Sequence, residues 1–413
     1  LNGAGMKLSG TGVVLGAKSE VSLDQRFHKR GAYTSRSRIK TTANRERLAA
    51  FGLDLGDRIG GQAAVDAQVE VRPDGVETVT ITADLQNTRL TVDELGWEKP
   101  EGSSGILRAR LGMRDGNPVS VDAFDMKAGD MAALATAALG PGGVPQVIDF
   151  ERLKIGKTDA AGRVERLGPG DWRVALRGSV IDLSPIVDPE EDAAAVDGAA
   201  TTRNEPDDTQ TLDLRVAADT LMVTRKASMT RATLAVRRVG KRIDSLDLRG
   251  RVGQGYTTLT VLPVDGERRL TLRAEDAGEF LSAFDIVETI RGGRLGVDGV
   301  VTGDELTDGL TMNARIDEYR VVNAPVLAQV LSVASFTGLA DTLNGDGIRF
   351  SRLRVNLTMT PERIEARNGI AYGPGLGLKV EGAYDRKSEL IDFVGTGSTT
   401  GTITVAFRAL GGD

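Results

Sequence analysis

One histidine, His28, no cysteine and 58 aspartates and glutamates set the limits of what this chain could catalyse. Ser-His-Asp and Cys-His arrangements each need an imidazole beside the nucleophile, and a multi-histidine metal site needs more than one. His28 stands between Phe27 and Lys29 in a charged stretch, where an ordinary surface residue is expected. The carboxylates could supply an acid–base pair for a hydrolase, but most fall in the polar phase of alternating segments or in one acidic stretch. No catalytic residue, metal site or cofactor is therefore expected, and the reading is not that of an enzyme.

Two glycine pairs, Gly60-Gly61 and Gly292-Gly293, do not form phosphate loops. Such a loop follows a strand and opens a helix. Here each pair follows a short helical pattern and precedes a strand, so the glycines serve to end the helix and turn the chain.

The 413 residues carry a net charge of -6 with 4% aromatics, which gives neither the basic field nor the stacking surface that nucleic-acid binding uses. The 51 glycines, roughly one residue in eight, imply many tight turns. The absence of cysteine is compatible with the periplasm. No run of about 18 apolar residues occurs, and the sequence opens on Leu1-Asn2-Gly3. An internal piece of a longer polypeptide is expected, with any membrane anchor outside these residues.

The elements that would position any site are strands. Apolar and polar residues alternate with period two along almost the whole chain, the mark of half-buried strands. Val65, Ala67, Val69 and Val71 form one such set; Val79, Ile81, Ala83 and Leu85, then Leu107, Ala109 and Leu111, then Val174 and Leu176, form others. In the second half the sets are Leu246, Leu248 and Val252; Leu270 and Leu272; Leu295 and Val297; Leu310, Met312, Ala314 and Ile316; Leu353, Val355, Leu357 and Met359; and Leu376, Leu378 and Val380. Pro73-Asp74-Gly75, Asp115-Gly116-Asn117-Pro118 and Asp265-Gly266 separate strands as tight turns, so neighbours should run antiparallel. At about 15 to 20 residues per strand and turn, about 20 to 25 strands are expected, too many for one open sheet that neither curls nor splits.

Helices are expected over Asn44 to Ile59, Ala277 to Ile290 and Pro325 to Leu343, the last capped by Asn323, with a shorter Ala-rich one near Asp130 to Leu139. Asp188 to Gln210 is acidic, poor in residues that can pack, and reads as a disordered loop, either a solvated insertion or an acidic arm for a partner. It divides the chain into a first module at 1–187, the loop at 188–211 and a second module at 212–413. Leu48-Ala49-Ala50-Phe51 with Ile59-Gly60-Gly61 resembles Leu281-Ser282-Ala283-Phe284 with Ile290-Arg291-Gly292-Gly293. Ala83, Leu85, Arg89 and Leu90 likewise correspond to Ala314, Ile316, Arg320 and Val321. Two similar modules follow from this internal repeat.

One face of every strand is apolar and must be covered. A second sheet would make a sandwich. Lipid would make a trough, with more exposed apolar area than monomers usually show. A six-residue strand spans about 20 Å and half a hydrocarbon core about 15 Å, so one strand could cover an acyl tail.

Three stretches carry a family resemblance. They are Ala83-Asp84-Leu85 through Leu95-Gly96-Trp97-Glu98-Lys99-Pro100-Glu101-Gly102, then Leu176-Arg177-Gly178-Ser179-Val180-Ile181-Asp182-Leu183-Ser184-Pro185-Ile186, and then Asn323-Ala324-Pro325-Val326-Leu327 through Gly345-Asp346-Gly347-Ile348 to Ala371-Tyr372-Gly373-Pro374. Together they resemble the YhdP-type branch of the AsmA-like family. The resemblance implies a mainly β protein with a long curled antiparallel groove and few helices, anchored to the inner membrane and facing the periplasm, that moves phospholipid toward the outer membrane. Its partners would be acyl chains and, through segments beyond this chain, membranes. The apolar phase of the second module would line the groove. Val326, Leu327, Val330, Leu331, Phe336 and Leu339, on a helix apolar nearly all round, would either cover the sheet as core or plug the trough. A structural or assembly factor for an outer-membrane protein client is the alternative.

Overall fold

The computed structural model describes residues 5–14, 16–28, 31–50, 56–92, 96–187, 209–304, 306, 308–324, 343, 346–388, 390–398 and 404–411, with backbone alone at 49–50 and 404–411. The chain divides into two compact units, Leu1–Ala194 and Ala195–Asp413. Both are mainly β and antiparallel, and among the described residues carry only short helices.

Unit 1 runs β1 (Gly5–Val14), β2 (Ala17–Arg26), β3 (Ser35–Ala43), α1 (Arg45–Ala50), β4 (Ile59–Gly61), β5 (Ala63–Val71), β6 (Glu77–Asp84), β7 (Thr88–Val92), β8 (Trp97–Lys99), β9 (Gly105–Arg114), β10 (Asn117–Ala128), β11 (Met131–Leu139), β12 (Pro145–Ile155), β13 (Thr158–Gly168), β14 (Asp171–Asp182) and α2 (Ser184–Val187). All but β4, β7 and β8 form one antiparallel meander in chain order from β1 to β14. The other three make a small separate sheet.

Unit 2 runs β15 (Thr211–Met222), β16 (Ser228–Val239), β17 (Arg242–Val252), β18 (Gly255–Val264), β19 (Glu267–Ala274), α3 (Ala277–Ala283), β20 (Ile290–Arg291), β21 (Arg294–Val301), β22 (Leu310–Val321), β23 (Ile348–Met359), β24 (Arg363–Tyr372), β25 (Gly377–Asp385), β26 (Ile391–Ser398) and β27 (Thr404–Gly411). These strands again pair in chain order, with β20 beside the end of β22. Among the described residues no ladder joins the first strand of either meander to its last, so neither closes as a barrel. Bulges such as those between Val121 and Phe124 and between Phe150 and Leu153 break the ladders, and bulges bend the strands that carry them.

The two margins of each meander differ. On one, the strands are joined mostly by tight turns. Asp115-Gly116 and Asp265-Gly266 are two-residue hairpins with both residues at positive φ, the primed geometry that matches strand twist. On the other margin the connections carry α1, the small sheet and α3. Unit 1 concentrates its buried apolar residues at this covered margin, among them Ala17, Ala63, Ala83, Leu85, Trp97, Ala128, Met131 and Ile155, while Tyr33 is buried at the other. Leu90, Val92 and Trp97 of the small sheet pack there against Ala128, Met131 and Ile155.

The internal repeat has the same geometry in both units. Ile59 pairs with Leu90 and Gly60 with Arg89; Ile290 pairs with Val321 and Arg291 with Arg320. Gly61 and Gly293 both take positive φ, at 75° and 87°, which lets the chain double back here without a Cβ clash.

The helices depart from expectation. The segment Asp130 to Leu139 is strand β11, in which Met131, Ala133, Ala135, Ala137 and Leu139 share one face. Pairing on both sides, with β10 and β12, overrides alanine's helix preference. Over Asn44 to Ile59 the described helix is only α1, capped by Asn44 Oδ1 accepting from the Arg47 amide at 3.1 Å, with a short 3-10 turn at Gly56–Arg58. Ile59 already belongs to β4. Over Ala277 to Ile290 the helix stops at Ala283, and Asp285 at φ 57° turns the chain away. The helix expected over 325–343 lies outside the described residues except for Leu343, which is buried. Of the acidic segment, only Thr209 and Gln210 are described.

Candidate functional site

In an antiparallel ladder, residues directly opposite share a face, so rows can be followed strand by strand. In unit 1 one row runs Leu8, Leu23, Ser37, Val69, Val79, Leu111, Val121, Ala137, Ile148, Val164, Val174. The next runs Val21, Ile39, Ala67, Ile81, Ala109, Phe124, Ala135, Phe150, Gly162, Leu176. Both rows are apolar across the meander, Ser37 and Gly162 apart, and neither contains a buried residue. Sandwich cores bury such rows. Here every one is half-exposed or, at Leu8, 56% exposed. The third row, nearest the covered margin, is where burial begins, at Ala83, Ala133 and Ala160.

Unit 2 repeats the arrangement. One row runs Leu214, Val236, Leu246, Val261, Leu270, Gly299, Met312, Leu357, Ala366. A second runs Val216, Leu234, Leu248, Leu259, Leu272, Val297, Ala314, Val355. A third joins Ala274, Leu295, Ile316, Leu353, Ala371 and Leu378. Leu310 and Met359 sit opposite each other in the same phase, Val252 and Val380 continue the phase of their strands, and Leu376 is buried just before β25. All the expected lining residues on strands thus share one face of unit 2.

Their exposure is graded. Leu248, Val252, Leu270, Leu295, Val297, Leu310 and Ile316 are buried; Leu246, Leu272, Met312, Ala314, Leu353, Val355, Leu357, Met359, Leu378 and Val380 are half-buried. Two pieces of local structure help account for the buried group. At the covered margin α3 is stitched down by Ala277 N–H donating to Gly293 O (2.8 Å) and Gly278 N–H to Gly292 O (3.1 Å), with Phe280 and Leu281 buried beneath it. At the other margin the backbone at Gly303 and Asp304 folds back: Ile243 N–H donates to Asp304 O at 3.2 Å. The Arg268 guanidinium donates to the carbonyls of Ile243 (2.8 Å), Asp304 (3.2 Å) and Gly303. Tyr319 and Phe350 stack at 5.3 Å near the covered margin, where burial pushes the Tyr319 hydroxyl pKa upward. The expected plug residues Val326, Leu327, Val330, Leu331, Phe336 and Leu339 lie outside the described residues.

The opposite face is charged and knitted across strands. Arg163 Nε donates to Asp149 Oδ1 at 2.7 Å, Arg273 pairs with Asp298 at 2.7 Å, and Asp317 Oδ1 accepts from Arg352 Nε at 2.6 Å. The guanidinium beside it holds the Asp149 carboxyl below the usual carboxylate range, and Arg38 does the same for Asp66. Exposed pairs like these contribute little individually, up to about 1 kcal/mol. Their larger effect is on register: a one-residue slip would exchange faces and bring arginines onto the apolar side.

The reading of the sequence passed over β10, β12 and β13, which contribute Val121, Phe124, Ile148, Phe150 and Val164 to the rows, and took β11 for a helix. Val121 and Phe124 are three apart, as are Phe150 and Leu153, because a bulge sits between them. A strict period of two loses its phase there, and only a search allowing a one-residue insertion would have followed it. No protein-family model, curated protein or solved structure matches the chain.

Proposed function

We propose that this chain receives the acyl chains of phospholipids on the apolar face of its sheets, and so carries or shields lipid between inner and outer membranes in the periplasm, as its resemblance to AsmA-like proteins implies. One observation carries the reading. Two adjacent apolar rows cross the unit 1 meander, one from β1 and one from β2 to β14, without a single buried side chain. A contiguous apolar surface left open by its own fold marks a binding surface. Its dimensions suit lipid: a strand of 10 residues, such as β9, spans about 34 Å at about 3.4 Å per residue, more than twice the roughly 15 Å of half a hydrocarbon core. The side chains on the rows hold no fixed donor or acceptor pattern apart from Ser37, so they can accept tails of any sequence of methylenes. No cofactor or catalytic residue enters this role.

The test is direct. Organic extracts of the purified chain are analysed by mass spectrometry, and the stripped protein is titrated with a fluorescent phospholipid. Phospholipid in the extract and saturable binding are expected. Absence of both, together with saturable binding of an unfolded outer-membrane β-barrel polypeptide, would replace lipid by a protein client.

A further inference from the structure

Arg238 breaks the pattern of the apolar face. Its pairing with β15 is unbroken, so Arg238 keeps the phase of Val236 and Leu234, two and four residues before it, and its row partner there is Leu212; on the β17 side, where a register shift falls between Arg237 and Arg238, its partner is Ile243. Its side chain therefore belongs to the apolar side of unit 2, at the margin of tight turns. Its Nε is fully buried, and among the described residues nothing accepts from it. A buried guanidinium donor without an acceptor is costly and calls for an explanation. The nearest carboxylates in sequence are committed elsewhere: Asp213 is the row partner of Arg237 on the other face, and Asp244 lies against Arg237 (3.9 Å) and Arg242 (3.2 Å). Arg268, in the apolar phase of β19 at the same margin, spends its donors on the carbonyls of Ile243, Gly303 and Asp304. The backbone beside Arg238 is thus fixed, while its Nε is left without an acceptor among the described residues.

We propose that Arg238 binds the phosphate of an amphiphile whose acyl chain lies on the adjoining apolar rows. A guanidinium presents paired donors that match phosphate oxygens, and at the edge of an apolar surface it meets that anion with little competition from water. This deepens the lipid reading and rests on it. The same phosphate chemistry could come from a headgroup or from free phosphate, and the experiment separates the two.

Wild type and R238Q are titrated with fluorescent phosphatidic acid, with the matching diacylglycerol, which lacks phosphate, and with inorganic phosphate. For the headgroup, wild type should bind phosphatidic acid roughly tenfold more tightly than R238Q, with diacylglycerol binding unchanged. Equal binding of phosphatidic acid by both proteins overturns the role of Arg238 and leaves the lipid reading standing. If neither lipid binds wild type, the lipid reading fails; inorganic phosphate binding that R238Q abolishes would then reassign the site to the free anion. A third protein, with the acidic residues of 188–208 neutralised, covers an internal partner: tenfold tighter phosphatidic acid binding that depends on Arg238 would assign the guanidinium to that stretch and overturn the proposal. The variant should melt no lower than wild type, because it removes a buried donor without an acceptor. If R238Q fails to fold, R238K, which keeps the charge and loses Nε, takes its place with the same expected loss for phosphatidic acid.

Discussion

Phe124 and Phe150 stand in one cross-strand row of unit 1 with only Ala135 between them, and neither ring is buried. Two aromatic side chains thus flank a single methyl group on a row that holds no buried residue. In a core this would be a packing defect. If the sheet faces lipid, as proposed, the pair would flank a bound chain.

Phe150→Glu should therefore leave folding nearly intact while reducing fluorescent phospholipid binding at least tenfold, since the carboxylate can reach water in the free protein but not under a bound tail. Ile155→Glu, five residues along the same strand in the buried cluster with Trp97, Ala128 and Met131, should instead cost several kcal/mol and unfold unit 1. Thermal melts and lipid titrations of both proteins check this. Comparable melting losses in the two variants would mean that the open row is core.

Gly293 and Gly75 separate two costs of adding a Cβ. Both have positive φ, at 87° and 83°. A Cβ on Gly75 meets nothing within 4 Å, whereas one on Gly293 would come within 2.8 Å of Tyr319 Cβ and 2.9 Å of Asp317 O. Gly75→Ala should cost about 1 kcal/mol, from backbone strain alone, and Gly293→Ala about 3 kcal/mol. Urea unfolding of the two variants measures the gap; equal losses would remove any role for close packing at the repeat.

Asp317 offers a pH test of the charged face. Burial pushes its pKa up, but hydrogen bonds from Arg315 Nε (2.6 Å) and Arg352 Nε (2.6 Å) outweigh it and the net direction is down. A carboxylate with a depressed folded pKa stabilises above its unfolded value, about 3.9, and loses that contribution as pH falls through the folded one. The guanidiniums are 46% and 30% exposed, so Asp317→Asn should cost only about 1 kcal/mol at pH 7. That difference should shrink steadily below about pH 4 in chemical denaturation series. A gap that stays constant down to pH 2 would assign the effect to packing.

Much of the sheet was legible in the alternation because pairing and burial both follow a period of two. Leu246 to Val252 and Leu310 to Ile316 keep that period, and the structure sets them in unbroken rows. What the alternation could not carry was anything set by distant pairing. The Ala-rich β11 reads locally as helix, and only its neighbours β10 and β12 make it a strand. The bulges of β10 and β12 hid Phe124 and Phe150. Arg238 was illegible for another reason: a charged residue in the apolar phase looks like the end of a strand until its row partners Leu212 and Ile243 are known.

Lys99 gives the last prediction. It is 1% exposed, under the small sheet, and its Nζ donates to the carbonyls of Thr88 (2.8 Å) and Pro100 (3.2 Å). Burial lowers its pKa, with Asp84 and Glu101 pulling partly the other way. Between the folded value and the ordinary 10.5, the unfolded chain holds a proton that the folded chain has given up, so stability rises with pH across that window. Below it, the folded protein carries the cost of a buried ammonium. Lys99→Met keeps the aliphatic stem and removes the charge, so at pH 7 it should match wild type within about 1 kcal/mol or exceed it. Lys99→Ala leaves a cavity as well and should cost about 2 to 4 kcal/mol. Between pH 7 and 10.5 the stability of wild type should climb relative to Lys99→Met, read as the difference between paired urea titrations so that other titrating groups cancel. Parallel profiles for the two proteins would show that the ammonium is not desolvated.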